Sequence, residues 1–135
     1  MSDFDRPLKR RGRDAAEVVG KHLATEKLKR PLVLCSPAVR ARETARIVLD
    51  NAKLHADERF DERIYDASLG ALLQVVSEIP DDVQVAIMVG HNPGFEQLLA
   101  HLTGEHRPMP TCALAKIELK DWKNVEVGEG SLEWF

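Results

Sequence analysis

The chain has 135 residues, 44% of them hydrophobic, and carries 19 basic against 22 acidic side chains for a net charge of −3. That length gives one domain, residues 1–135, with room for a single core and too little chain for two. The mild negative balance argues against a general nucleic-acid binder, no apolar run reaches membrane-spanning length, and the charged Met1-Ser2-Asp3-Phe4-Asp5 start has no apolar targeting core, so the expected compartment is the cytoplasm.

In chain order, Pro7 and Gly12 punctuate the opening, and Lys9-Arg10-Arg11 with Arg13 reads as a solvated helix start. A helix is expected from about Gly12 to Lys27, with Ala16, Val19 and Leu23 on one face, and Pro31 breaks the pattern. Leu32-Val33-Leu34-Cys35 is wholly apolar, as a strand covered on both faces requires. Ser36 can cap the next helix and Pro37 suits its first position; that helix runs to about Asn51. Residues 60–66 are a linker with room for a short extended stretch. Leu72, Val75, Val76 and Ile79 then take helical spacing, and Pro80-Asp81-Asp82 ends that helix.

Val83 to Val89 is a second buried strand, which stops at Gly90. His91 and Asn92-Pro93-Gly94 follow, and Phe95, Leu98, Leu99 and Leu102 repeat the helical spacing. Thr111 to Leu119 and Leu132 to Phe135 read as strands joined by a turn at Gly128-Glu129-Gly130. Strands alternating with helices predict an α/β protein with a mostly parallel sheet, whose ligand edge lies where strands lead into helices.

Two such corners carry chemistry. Gly90-His91-Asn92-Pro93-Gly94 brings an imidazole to a helix N-terminus, a natural seat for an anion such as phosphate. Ser36-Pro37-Ala38-Val39-Arg40 repeats the design with a guanidinium, a fixed fork that matches phosphate oxygens. The competing reading of Arg40 is a solvent-facing helical arginine, which Arg42 and Arg46 fit better. Glu62, in Asp61-Glu62-Arg63-Ile64-Tyr65, is either an acid–base group with a partner arginine or part of a solvated charge run. His22 and His55 fall on charged surface. His101, His106 and Cys112 match no usual zinc spacing, so no metal site is expected. Cys35 and Cys112 read as buried reduced thiols. A cysteine-phosphatase loop at Cys35 is excluded, because the position where its arginine would fall is Ala41.

Asp5-Arg6-Pro7-Leu8 with Gly12, Ser36-Pro37-Ala38-Val39-Arg40-Ala41-Arg42-Glu43-Thr44-Ala45, and Gly90-His91-Asn92-Pro93-Gly94 together resemble the histidine phosphatase superfamily, the phosphoglycerate mutase-like proteins. The Leu102-Thr103-Gly104-Glu105-His106 run and the small size look most like the SixA-type phosphohistidine phosphatases. The resemblance implies a three-layer α/β/α sandwich. It implies removal of phosphate from phosphohistidine on a protein of the histidine phosphotransfer kind, through a phosphohistidine enzyme intermediate and without metal or organic cofactor. It implies that Arg40 clamps phosphate oxygens, that His91 hydrogen-bonds the phosphoryl group, and that the Asn92 backbone N–H helps. Glu62 aligns with the proton donor of the mutase branch.

The family opens with a strand ending in Arg-His-Gly or Arg-His-Ala, and that motif has no counterpart upstream of Arg6-Pro7-Leu8 here. The expectation is a sheet without its first central strand, with unpaired neighbouring edges and self-association through them. The alternative function is a non-catalytic phosphate- or phosphoprotein-binding module, since Arg40, His91 and a helix N-terminus can hold an anion without a nucleophile.

Overall fold

Alternating side chains along the strands divide the interior into two layers. The structure, a computed structural model, describes residues 2–91, 94–104, 112–118 and 131–134. Its elements are α1 (Arg10–Glu26), β1 (Leu32–Cys35), α2 (Val39–Ala52), β2 (Asp57–Phe60), a single 3-10 turn at Glu62–Ile64, α3 (Leu69–Ser77), β3 (Ala86–His91), α4 (Gly94–Thr103), β4 (Cys112–Glu118) and β5 (Ser131–Trp134). The strands form one five-stranded sheet in the order β2-β1-β3-β4-β5.

Along β1, Leu32 and Leu34 join a core with Ile64, Leu72, Val76, Phe95 and Leu98. Val33 and Cys35 point the other way, into a core with Ala16, Leu23, Ala41, Ala45 and Val48. α3 and α4 therefore cover one face and α1 and α2 the other, the three-layer α/β/α arrangement. Phe95 and Leu23 are fully buried, each worth about 1.5–3 kcal/mol relative to exposure. α1 and α2 approach closely because Gly20 has no side chain: a Cβ there would lie 2.6 Å from the Val48 carbonyl oxygen.

The sheet is mixed. β1 runs parallel to β2 and β3, with the helical crossovers that parallel pairing needs. β3–β4 and β4–β5 are antiparallel. The parallel character expected for most of the sheet thus belongs to its β2-β1-β3 half. Nor, among the described residues, does the sheet have unpaired strands beside a gap. β3 pairs with β4 from Ala86↔Ile117 to His91↔Cys112, so both of its edges are used. Closing that edge avoids about 1–3 kcal/mol for each buried unpaired backbone group. β2 is an edge strand, wholly exposed and bearing Asp57, Glu58 and Arg59, a composition that discourages edge-to-edge pairing.

Several boundaries move from their expected places. α1 begins at Arg10, two residues before the expected Gly12, and ends where expected, at Glu26 with Lys27 as its left-handed cap (φ 53°). α2 starts at Val39 with Ala38 as its N-cap, and the Ser36 hydroxyl accepts the Ala38 N–H ahead of the helix while also meeting His91. β3 begins at Ala86 rather than Val83 and extends to include His91. α3 begins at Leu69 because the Ser68 hydroxyl accepts the Ala71 N–H at 3.2 Å, a cap the apolar spacing alone did not reveal. The turn at 128–130 lies outside the described residues.

Candidate functional site

Because β1 and β3 are parallel neighbours, their C-terminal ends deliver Ser36 and His91 to the same spot. Cys35 pairs with Val89, and the Ser36 N–H donates to the Val89 carbonyl at 2.9 Å. The Ser36 hydroxyl then lies 2.8 Å from His91 Nε2, and both residues are buried. Gly90 makes the register possible. A Cβ there would sit 2.4 Å from the Phe95 ring, which packs against the strand end.

Arg40 rises from the first turn of α2 into the same region and is only 7% exposed. A cavity of about 220 Å³ is lined by Asp3, Arg40, Tyr65, Asp66 and His91. Arg40 and His91, singled out at separate corners of the sequence, therefore meet at one cavity. Asp3 sits in it. Arg40 Nη1 donates to the Asp3 carbonyl at 2.8 Å and Nη2 to Oδ2 at 3.1 Å. The Tyr65 hydroxyl donates to the same Oδ2 at 2.7 Å, and Arg6 donates to Oδ1 at 3.0 Å. The hydrogen bond from Tyr65, with Arg40 and Arg6 adding to it, holds the Asp3 carboxyl below the usual range. The same bond raises the Tyr65 hydroxyl, so it stays a donor.

The segment carrying Asp3 is tied to α2. The Val39 N–H donates to the Phe4 carbonyl at 3.0 Å. Glu43 accepts from the Leu8 N–H at 3.2 Å and pairs with Arg13. Phe4 meets Tyr65 edge-on at 5.2 Å between ring centroids, and Tyr65 meets the His91 ring edge-on at 5.5 Å. These contacts fix the wall of the cavity that faces His91.

His91 is neutral at ordinary pH. Burial pushes its pKa down to about 4, and the Arg40 cation adds to the effect. The site thus combines one fixed positive charge, a neutral imidazole and a phenol, all hydrogen-bond donors toward an anion. Among the described residues no group of three or more His, Cys, Asp or Glu is arranged to hold a metal ion.

Glu62 does not reach this cavity. It is exposed on the 3-10 turn, and Arg63 pairs not with Glu62 but with Asp61 at 2.7 Å and Glu78 at 2.8 Å. Two ion pairs anchor that turn, and its far end presents Tyr65 to the cavity instead. Asn92 lies outside the described residues, as does His106. His22 and His55 are exposed, as are Arg42 and Arg46. Asp3, Tyr65, Asp66 and the Ser36–His91 bond were not legible as site features. Tyr65 had a signal, an aromatic ending the charged run around Glu62; Asp3 had none beyond a charged opening.

The family model for the histidine phosphatase superfamily (branch 1) matches residues 2–106. An uncharacterized protein of Mycobacterium tuberculosis is 31% identical, the match covering 100% of this chain and 90% of that protein. One of Mycobacterium leprae is 30% identical over 100% of this chain and 88% of its own length. The structure of a SixA phosphohistidine phosphatase candidate from Agrobacterium tumefaciens superposes with a TM-score of 0.80 at 25% identity, over 100% of this chain and 86% of that one. A structure of the protein histidine phosphatase SixA complexed with tungstate gives 0.78 at 28% identity, over 98% and 85%.

Proposed function

The chain belongs to the histidine phosphatase superfamily, branch 1, and from that premise we propose that it removes phosphate from phosphohistidine carried on a protein. The observation that carries this reading is the Asp3 carboxylate held by Arg40 and Tyr65 beside His91. Its oxygens take the donors that a phosphoryl group would take. Tungstate, an oxyanion of similar shape and charge, is bound by one of the structural relatives.

In this proposal Arg40 holds two phosphoryl oxygens through its fork, and the neutral imidazole of His91 donates to a third. Their fixed geometry stabilises the charge that spreads over those oxygens during transfer, without reorganisation at the moment of reaction. In the family's reaction the phosphoryl group passes from the substrate imidazole to the histidine nitrogen of the Arg-His-Gly or Arg-His-Ala motif, a P–N bond forming there, and that histidine has no counterpart upstream of Arg6 in this sequence. The P–N bond to the substrate breaks, and the leaving imidazole takes a proton from water. Hydrolysis of the new phosphohistidine then releases phosphate. Glu62 has no part in this scheme, since its side chain lies outside the cavity. The Asn92 N–H remains proposed as a further donor.

A second reading, a phosphate-binding module without turnover, is favoured by one observation. Among the described residues that line the cavity, His91 is the one histidine, and it is already engaged with Ser36.

The deciding experiment adds the protein to a phosphohistidine-bearing phosphotransfer domain and follows the phosphohistidine by phosphorus NMR, with tungstate binding measured by calorimetry alongside. Loss of phosphohistidine above the buffer rate, abolished by Arg40→Ala, supports the phosphatase. Tungstate binding without turnover supports the module. Failure of both discards the anion site altogether.

A further inference from the structure

The Ser36 hydroxyl is fully buried and has two neighbours. It accepts the Ala38 N–H at 3.2 Å, and it stands 2.8 Å from His91 Nε2. A hydroxyl has one proton to donate, and leaving that proton unpaired in the interior is costly. Nε2 is the acceptor within reach. The His91 ring is neutral, so one nitrogen is protonated and the other is not. If Nε2 accepts from Ser36, the ring proton sits on Nδ1.

His91 Nδ1 is buried and has no hydrogen-bond partner. The residue is only 7% exposed and its side chain lines the cavity that holds Arg40 and Asp3. The opposite arrangement is worse on both counts. It would leave the Ser36 proton without an acceptor, and it would offer an anion a bare nitrogen lone pair instead of a donor.

We propose that Ser36 is a positioning residue whose hydroxyl donates to Nε2 of His91, fixes the ring proton on Nδ1 and so makes Nδ1–H the donor that the site presents to an oxyanion. Residue 36 sits at the end of β1 and residue 91 at the end of β3, so the parallel register of these two strands sets the tautomer. The edge-on Tyr65 ring holds the imidazole plane in place. The tautomer itself is independent of any activity; its use toward an anion rests on the phosphatase reading above.

Nitrogen-15 NMR of the histidine-labelled protein reads the tautomer directly. The expected wild-type spectrum at neutral pH has His91 protonated on Nδ1. Ser36→Ala is expected to move the ring toward the Nε2–H form and to weaken tungstate binding about tenfold. Ser36→Thr, which keeps the hydroxyl, is expected to retain both the spectrum and the affinity. A wild-type ring protonated on Nε2 overturns the proposal, as does an unchanged tautomer in Ser36→Ala. The wild-type spectrum decides even where a variant does not fold. A ring protonated on Nδ1 in a protein that binds no tungstate upholds the role of Ser36 while removing the phosphatase reading.

Discussion

Among the described residues, two cavities share Arg40 and differ in size and chemistry. The larger, about 450 Å³, lies between the segment at Pro7-Leu8 and the facing sides of α1 and α2, with Ala16, Val19 and Val48 in its wall. The smaller, about 220 Å³, has Asp3, Tyr65 and His91 in its wall. Size favours the first and chemistry the second. The larger cavity sets Arg6, Lys9 and Arg11 among its apolar side chains, whereas the smaller cavity already holds a carboxylate by hydrogen bonds from three side chains. Convergent donors, not volume, mark the site.

Arg40→Ala should break this contrast most severely. It removes the charge-assisted fork from the smaller cavity, and tungstate affinity by calorimetry is expected to fall about 100-fold or more. A loss of less than threefold would mean that the cavity does not bind anions through Arg40.

The next effect is a pH dependence confined to the smaller cavity. The folded pKa of His91, about 4, lies below its ordinary value of 6.5. Between these values the unfolded chain takes up a proton that the native chain refuses, so stability rises with pH across this window. The contribution is fully present above pH 6.5 and lost as pH falls toward 4, on the order of 2–3 kcal/mol. The depressed carboxyls of Asp3, Asp61 and Glu78 titrate below their ordinary values of 3.8–4.5, beneath most of this window. Urea midpoints measured from pH 7 to pH 4.5 should therefore fall in the wild type and flatten in His91→Gln. Parallel slopes in the two proteins would refute the assignment.

Asp3→Asn sharpens the comparison from the other side. It removes a negative charge that competes for Arg40 and Tyr65, and tungstate should bind about fivefold more tightly. Weaker binding would show that Asp3 organises the site rather than occupying it. The smallest effect is expected in the larger cavity. Val19→Leu adds one methylene beside open volume and should leave tungstate affinity unchanged within about twofold. A larger change would mean that the two cavities act as one.

Much of the fold was readable from local patterns. The apolar run at residues 32–35, the helical spacing at 72–79 and 95–102, and the Gly90-His91 corner all correspond to observed elements or their ends. Those signals are carried by neighbouring residues. Glu62 misled for the same reason. A carboxylate beside an arginine in sequence suggests a pair, yet Arg63 turns to Glu78, fifteen positions away. The cap at Ser36 misled in the opposite way. The residue type was informative, but its hydroxyl, besides accepting the Ala38 N–H, answers to a ring on another strand.

Composition, periodicity and motif order were enough to determine an α/β/α protein of this superfamily with Arg40 and His91 at strand-to-helix corners. Only the tertiary structure decided that β4 closes against β3, that Asp3 and Tyr65 meet 62 positions apart, and that Ser36 and His91 meet 55 apart. Helix and strand periods repeat within a few residues and leave a trace in the chain. Which strand ends become neighbours, and how deeply a side chain is then removed from water, depends on the packing of the whole sheet, and the charge state of His91 follows from that burial.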